Sequence, residues 1–140
     1  MHQLSVICLC IAMAATTPAT AAASVFGLWA TAKNNGRVRI EPCGEALCGR
    51  VVDGNQLHAN AQQMDVKNPD PSKRTRHVKG LMILTGYTGG PERWEGGNVY
   101  DPQTGDQSSD STLTLVSPDT LKVRGCNIVF CRSEIWTRAN

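Results

Sequence analysis

The chain reads as all-β, a single small antiparallel up-and-down β-barrel of about eight strands. Three observations lead there. Short runs that alternate apolar and polar residues recur along it, separated by Gly, Pro, Asn and Asp. Two of them, Val38–Val52 and Leu121–Trp136, repeat one plan of strand, Cys, four residues, Cys, strand, so each looks like a stapled hairpin. No stretch carries the apolar period of a long amphipathic helix. An open sheet of eight strands would leave two edges exposed, and closure removes them.

Phe26-Gly27-Leu28-Trp29-Ala30-Thr31 is the first strand, ended by the turn formers Lys33-Asn34-Asn35-Gly36, where Asn35-Gly36 is the hairpin signal. The second runs from Arg37 to Glu41, with Val38 and Ile40 on one face, and the third from Cys48 to Asp53. In both, one face is buried and the other wet, as in an antiparallel sheet. From Gly54 to Lys79 the pattern lapses for 26 residues. The prolines of Asn68-Pro69-Asp70-Pro71 forbid a central strand there, and Asn60 to Val66 is expected to form a helical turn or two. A loop this long in a compact domain is usually functional or mobile. Its second half holds Lys73, Arg74, Arg76, His77 and Lys79, the densest cationic run in the chain. That run is either a solvated loop or a rim that meets an anionic group on a ligand or partner.

Leu81–Tyr87 is apolar on both faces and is expected to be the most buried strand. After the turn Thr88-Gly89-Gly90-Pro91, the run Trp94–Tyr100 places Trp94, Gly96, Asn98 and Tyr100 on one face, and its adjacent glycines predict a bend or a close backbone approach. Asp101-Pro102-Gln103-Thr104-Gly105 is a turn in which Pro sets one torsion and Gly permits a positive one. Leu113 and Leu115 alternate with Thr112 and Thr114, and Ser117-Pro118-Asp119 turns the chain. Leu121 and Val123 face in while Lys122 and Arg124 face out. The last strand, Cys131 to Arg138, completes the set.

Residues 1–23 read as a signal peptide and residues 24–140 as one barrel domain, about 117 residues with room for a single core. Leu4–Ala15 is an apolar run of about twelve residues, short for a span that needs about 20, so no permanent membrane anchor is expected. Ala19-Thr20-Ala21-Ala22-Ala23-Ser24 satisfies an A-x-A cleavage rule, with the cut expected after Ala23 and the product periplasmic or secreted. Cys8 and Cys10 leave with that segment. The net charge of +2 belongs wholly to the remainder, since residues 1–23 hold no Lys, Arg, Asp or Glu. So weak a surplus is no nucleic-acid footprint, which needs clustered cations.

Export turns Cys43, Cys48, Cys126 and Cys131 into candidates for disulfides. Residues i and i+5 can face each other across a four-residue loop as a non-hydrogen-bonded pair with Cα atoms about 4.5 Å apart, so the expected bonds are Cys43–Cys48 and Cys126–Cys131. With alternating strands the two hairpins close at opposite ends of the barrel, which keeps the pairs apart. Zinc and redox roles are the alternatives. Zinc knuckles usually carry two to four intervening residues, and the redox motif is Cys-x-x-Cys opening a helix, whereas these spacers lie between strands.

Gly27-x-Trp29 on the first strand and Arg138 on the last resemble the G-x-W and arginine pair of lipocalin-like barrels, where the tryptophan plugs one end and the arginine lies across its ring. The wider pattern resembles an exported bacterial family known as domain of unknown function 2147. It comprises Pro42-Cys43-Gly44-x-x-Leu47-Cys48-Gly49, Asp65-x-x-Asn68-Pro69-Asp70 with Arg74, Arg76 and Gly80, Trp94-x-Gly96-Gly97-x-x-Tyr100-Asp101-Pro102-x-x-Gly105, Leu121-x-Val123-x-Gly125 and Trp136-Thr137-Arg138. The resemblance implies a lipocalin-like barrel and assigns no activity. Lys73 and Lys79 stand where the family pattern has apolar residues, and His77 where proline is frequent, so the loop is more basic than the pattern.

The leading expectation for function is a binding protein of lipocalin type. A small apolar or amphipathic molecule would be held by Val38, Ile40, Val51, Leu113, Leu115, Leu121 and Val123, with Lys73, Arg74 and Arg76 meeting an acidic head group. The alternative is a barrel those side chains fill completely, which then acts through its surface on a protein or envelope component. An enzyme is not expected. His58 and His77, the histidines beyond the leader, both fall in the long loop, and no nucleophile elbow, His-Glu metal motif or phosphate loop is present. No cofactor or metal is expected, and turn roles explain Asp65 and Asp101 unless the two converge in a pocket.

Overall fold

The protein is described by a computed structural model over residues 14–16 and 23–140. The leader, Cys8 and Cys10 included, falls outside the described residues apart from 14–16 and 23. The strands are β1 (Gly27–Ala30), β2 (Arg37–Cys43), β3 (Ala46–Asp53), β4 (Met82–Gly89), β5 (Arg93–Tyr100), β6 (Gln107–Ser117), β7 (Thr120–Cys126) and β8 (Cys131–Arg138). They pair antiparallel in chain order, and β8 returns to β1 to close the barrel. Among the described residues, every strand, both disulfides and the core lie within residues 24–140.

Register explains what fills the interior. Trp29 faces Val38, Val38 faces Val51, Ile40 faces Gly49, Leu113 faces Val123 and Leu121 faces Trp136, so the apolar member of each alternation points inward. Trp29, Ile40, Leu47, Leu84, Tyr87, Leu113 and Leu121 are fully buried and pack one end solid. Two glycines make that density possible. A Cβ on Gly97 would stand 2.3 Å from Cγ of Tyr87, and one on Gly49 would stand 2.8 Å from Cδ1 of Leu84. The close approach expected of Gly96-Gly97 is therefore the seat of a tyrosine ring. Gly96, at φ +71°, supplies the bend. That bend shifts the register of β5, so the single face expected for Trp94, Gly96, Asn98 and Tyr100 is broken: Gly96 is exposed while Gly97 is buried.

The hairpins differ from expectation in detail. The β1–β2 reversal is a turn over Lys33–Gly36 with Asn34 at φ 59° and Asn35 at φ 49°, closed by Gly36 N donating to Lys33 O. The two asparagines, rather than Asn35-Gly36, take its centre, because asparagine tolerates the left-handed region. Cys126 faces Cys131 directly at a Cα separation of 4.0 Å, as a staple across two strands should. Cys43, by contrast, faces Ala46, while Cys48 faces Glu41. That bond runs diagonally at 5.8 Å across a two-residue turn at Gly44-Glu45. The two disulfides sit at opposite ends of the barrel. Strands β6 and β7 also run further than their apolar runs, since polar residues continue both ladders.

The long β3–β4 connection is built, not slack. Its helix, α1 (Asn55–Ala59), forms one turn earlier than the Asn60–Val66 expected, because Leu57 is the side chain that packs onto the core. A short 3-10 turn at Pro71–Lys73 starts on Asp70, whose carboxylate accepts from Ser72 N. Met64 and His77 form an isolated bridge, and Val78 is buried. Among the described residues no helix is long and apolar enough to cross a membrane.

Candidate functional site: the open end of the barrel

The two ends differ in kind. At the closed end, the Arg138 guanidinium lies 4.2 Å from the Trp29 ring centroid. It donates through Nε to Pro118 O at 2.9 Å and through Nη1 to Phe26 O at 3.0 Å. Trp29 donates from Nε1 to Val25 O at 2.8 Å. A Cβ at position 27 would stand 3.1 Å from Arg138 Nη1, which is why a glycine lies under that cation. Gly27, Trp29 and Arg138 together cap the floor.

The other end is hollow. A cavity of about 120 Å³ opens between the β1–β2 turn, the start of α1 and the β5–β6 turn. Val38, Val51, Leu57, Ile83, Val99 and Trp136 supply its apolar wall, and Arg37, Asp53, Asp101 and Gln103 its polar rim. It adjoins a groove of about 810 Å³ that includes Val123, Gly125, Ser108, Phe130 and Arg132, and Lys33, Val99, Asp101 and Glu134 line both. Strand lengths explain the groove. β1 has four residues against eight for β8, so β8 meets it only at Thr137 and Arg138, and among the described residues the first half of β8 has no strand partner on that side.

Of the seven residues expected to hold a ligand, Val38 and Val51 line the cavity and Val123 lines the groove. Ile40, Leu113 and Leu121 are buried in the packed half, and Leu115 is partly buried against it. The expected cationic rim is elsewhere. None of Lys73, Arg74, Arg76, His77 or Lys79 lines the cavity or the groove. Arg74 donates from Nε to Asn68 O at 2.7 Å, and Arg76 from Nη2 to Asp65 Oδ2 at 2.8 Å, so both hold the loop's own acceptors.

Sequence reasoning missed Trp136 and the charged residues of β8. In register with Val123 and Leu121, Glu134 and Trp136 point inward, and Arg132 follows opposite Gly125. Alternation was the available signal, but it assigns charge to solvent by habit. The mouth is mixed in sign. Lys33 Nζ lies 3.7 Å from Glu134 Oε1, and His58 Nε2 lies 2.9 Å from Asp53 Oδ1. The Gly54 N–H, then His58, holds the Asp53 carboxyl below its usual range.

Asp65 is fully buried beside the site. It accepts from the Tyr100 hydroxyl, from Asn68 Nδ2 at 2.9 Å and from Arg76, while its own N–H donates to Arg76 O. The most specific residues of the loop motif thus meet the tyrosine that ends β5 and fasten the loop to the barrel. Burial, with Asp65 adding to it, pushes the Tyr100 hydroxyl above its ordinary pKa. Burial alone pushes Tyr87 up to about 12, and its hydroxyl donates to Ser111 Oγ at 2.8 Å. Asp101 caps its own turn by accepting from Gln103 N at 2.9 Å and lines the cavity, which Asp65 does not. The two carboxylates therefore do not converge. Glu41 lies beside Cys43 and Cys48, and the disulfide takes from that trio the thiolates a metal would need.

No curated protein matches the chain in sequence. A solved structure described as "Protein HP1028 from the human pathogen Helicobacter pylori belongs to the lipocalin family" superposes with a TM-score of 0.73 over 85 % of each chain at 16 % identity, a likeness of fold alone. Residues 27–138, from the first glycine of β1 to the arginine that ends β8, match the bacterial family described as "Uncharacterized protein conserved in bacteria (DUF2147)", and the chain belongs to that family.

Proposed function

We propose that the protein is an exported binding protein that takes a small amphipathic molecule into the open end of its barrel. One observation carries this reading: the barrel is packed solid at one end and hollow at the other, with an apolar wall under a polar rim. Pockets that bind small molecules combine such a wall with a few placed polar groups. At about 120 Å³ the cavity takes a ring or a short chain end, and the adjoining groove receives the remainder of the molecule. Lys33, Arg37 and Arg132 stand there against Asp53, Asp101, Asp106 and Glu134, so a neutral or zwitterionic head fits better than the acidic one that the loop cations suggested. Two disulfides and the alanine-rich leader support export. Catalysis is not part of the proposal, because neither His58 nor His77 lines the cavity or the groove.

Native mass spectrometry of the protein recovered from the periplasm tests it. The expected result is a mass excess that disappears on denaturation and is absent from Val51→Trp, which fills the cavity. A bare mass for the natural chain, or an equal excess on Val51→Trp, would overturn it. The second reading, a barrel acting through its surface, draws on the packed half around Leu113 and Leu121 and on the apolar loop described next.

A further inference from the structure

We infer that the β7–β8 loop is a membrane-docking tip, which seats the open end of the barrel on an anionic phospholipid surface. Ile128 and Val129 are 104 % and 84 % exposed, Phe130 47 %. Apolar side chains this bare usually belong to slack loops, and this loop is held. Cys126–Cys131 closes it, Asn127 Oδ1 accepts from Val129 N at 2.8 Å and from Phe130 N at 2.9 Å, and Asn127 N donates to Phe130 O at 3.0 Å. The Arg132 guanidinium lies 4.8 Å from the Phe130 ring centroid and steadies its inner side. The tip is thus prepared to stand in the open, and burying it elsewhere requires little further ordering.

Charge and size decide what covers it. Lys122 and Arg124, exposed on the outer face of β7, and Arg132 are in no ion pair among the described residues. Against them stand Asp110 of β6, Glu134, which Lys33 already engages, and Asp101 and Asp106 across the groove, so the unpaired cations that flank the tip are those of the outer face of β7 and Arg132. An apolar tip with cations behind it is the pattern of a segment that enters a headgroup layer, its aliphatic side chains below the phosphates and its cations among them. A protein partner needs about 800 Å² of contact on each side, far more than three side chains present. A lipid surface has no such requirement. Docking also has a use on this geometry, since Phe130, Asn127 and Arg132 line the groove that leads to the cavity. The inference does not depend on the cavity being occupied.

Vesicle flotation of the protein as recovered from the periplasm, with the disulfides formed, tests it. The vesicles are phosphatidylethanolamine with phosphatidylglycerol, and phosphatidylcholine alone as the neutral comparison. Flotation with the anionic vesicles is expected, weakened about ten-fold or more by Ile128→Ser with Val129→Ser. Lys122→Gln with Arg124→Gln should weaken it about five-fold per cation, as should raised salt. Circular dichroism must show both variants folded, which their exposure favours. Absence of flotation, or equal flotation of the tip variant, overturns the inference. Equal binding to neutral vesicles overturns its anionic part. Sedimentation that shows a dimer broken by the tip variant would mean a second copy covers the tip, and would overturn it as well.

Discussion

Replacing Tyr100 with phenylalanine removes one hydroxyl and leaves the ring in place, which isolates the hydrogen bond to Asp65 from packing. Asp65 is fully buried, and Tyr100 is the donor that meets its Oδ1, while Asn68 and Arg76 share Oδ2. A hydrogen bond to a charged group contributes about 1.5–3 kcal/mol, and the two donors left on Oδ2 keep the loss near the middle, at about 2 kcal/mol. For a domain of this size that lowers Tm by about 8 °C. The consequence is also local. The bond ties β5 to the connection between β3 and β4, which offers trypsin Lys67, Lys73, Arg74, Arg76 and Lys79. Thermal denaturation by circular dichroism should show the shift. Limited trypsinolysis read by mass spectrometry should show earlier cleavage at those five residues than in the natural chain. A Tm within about 2 °C of the natural chain with unchanged cleavage would refute the idea that this carboxylate locks the loop.

Arg138→Lys should lower stability by about 2 kcal/mol, seen as a lower urea midpoint at unchanged slope, because an ammonium cannot face Trp29 while reaching the carbonyls of Phe26 and Pro118. Gly97→Ala should cost about 3 kcal/mol by driving a methyl into the Tyr87 ring, whereas Gly44→Ala, with open space around it and φ +64°, should cost about 1 kcal/mol from the backbone alone. Equal midpoints for the two glycine variants would refute the seating of that ring. Both Tyr87 and Tyr100 have raised pKa values, so their contribution is fully present below pH 10 and is lost as the pH rises from there toward their folded values, the unfolded chain ionising first. Alkaline denaturation should therefore steepen above pH 10, by about 1.4 kcal/mol per pH unit per tyrosine, and Tyr87→Phe should flatten it.

Sequence periodicity carried the architecture because each inward residue of a barrel is decided by its own strand. Val38 and Ile40, Leu121 and Val123 alternate with charged neighbours, and each pair turned up on the inner face. The cysteine spacing carried both pairings for the same reason, since a bond across one hairpin is a local event. Local rules also explain the misses nearby. A helical turn goes where Leu57 reaches the core, one turn before the stretch that looked helical, and a left-handed asparagine pair displaced Asn-Gly from the centre of a turn.

What only the tertiary structure decided was how far the barrel is filled and what surrounds the space. Emptiness is a sum over eight strands, and no strand reports it. Ile40 and Val38 are the same kind of residue two positions apart and both belong to the core, yet only Val38 also lines the cavity. The cations of the long loop were legible, but their target was not, because Arg76 meets Asp65 from eleven positions away and Tyr100 reaches the same carboxylate from thirty-five. A short β1 beside a long β8 makes the groove, a mismatch visible only once the two ends of the chain are side by side. The order of the strands was written in local alternation. The hollow between them depends on distances across the closed sheet, which no window of sequence contains.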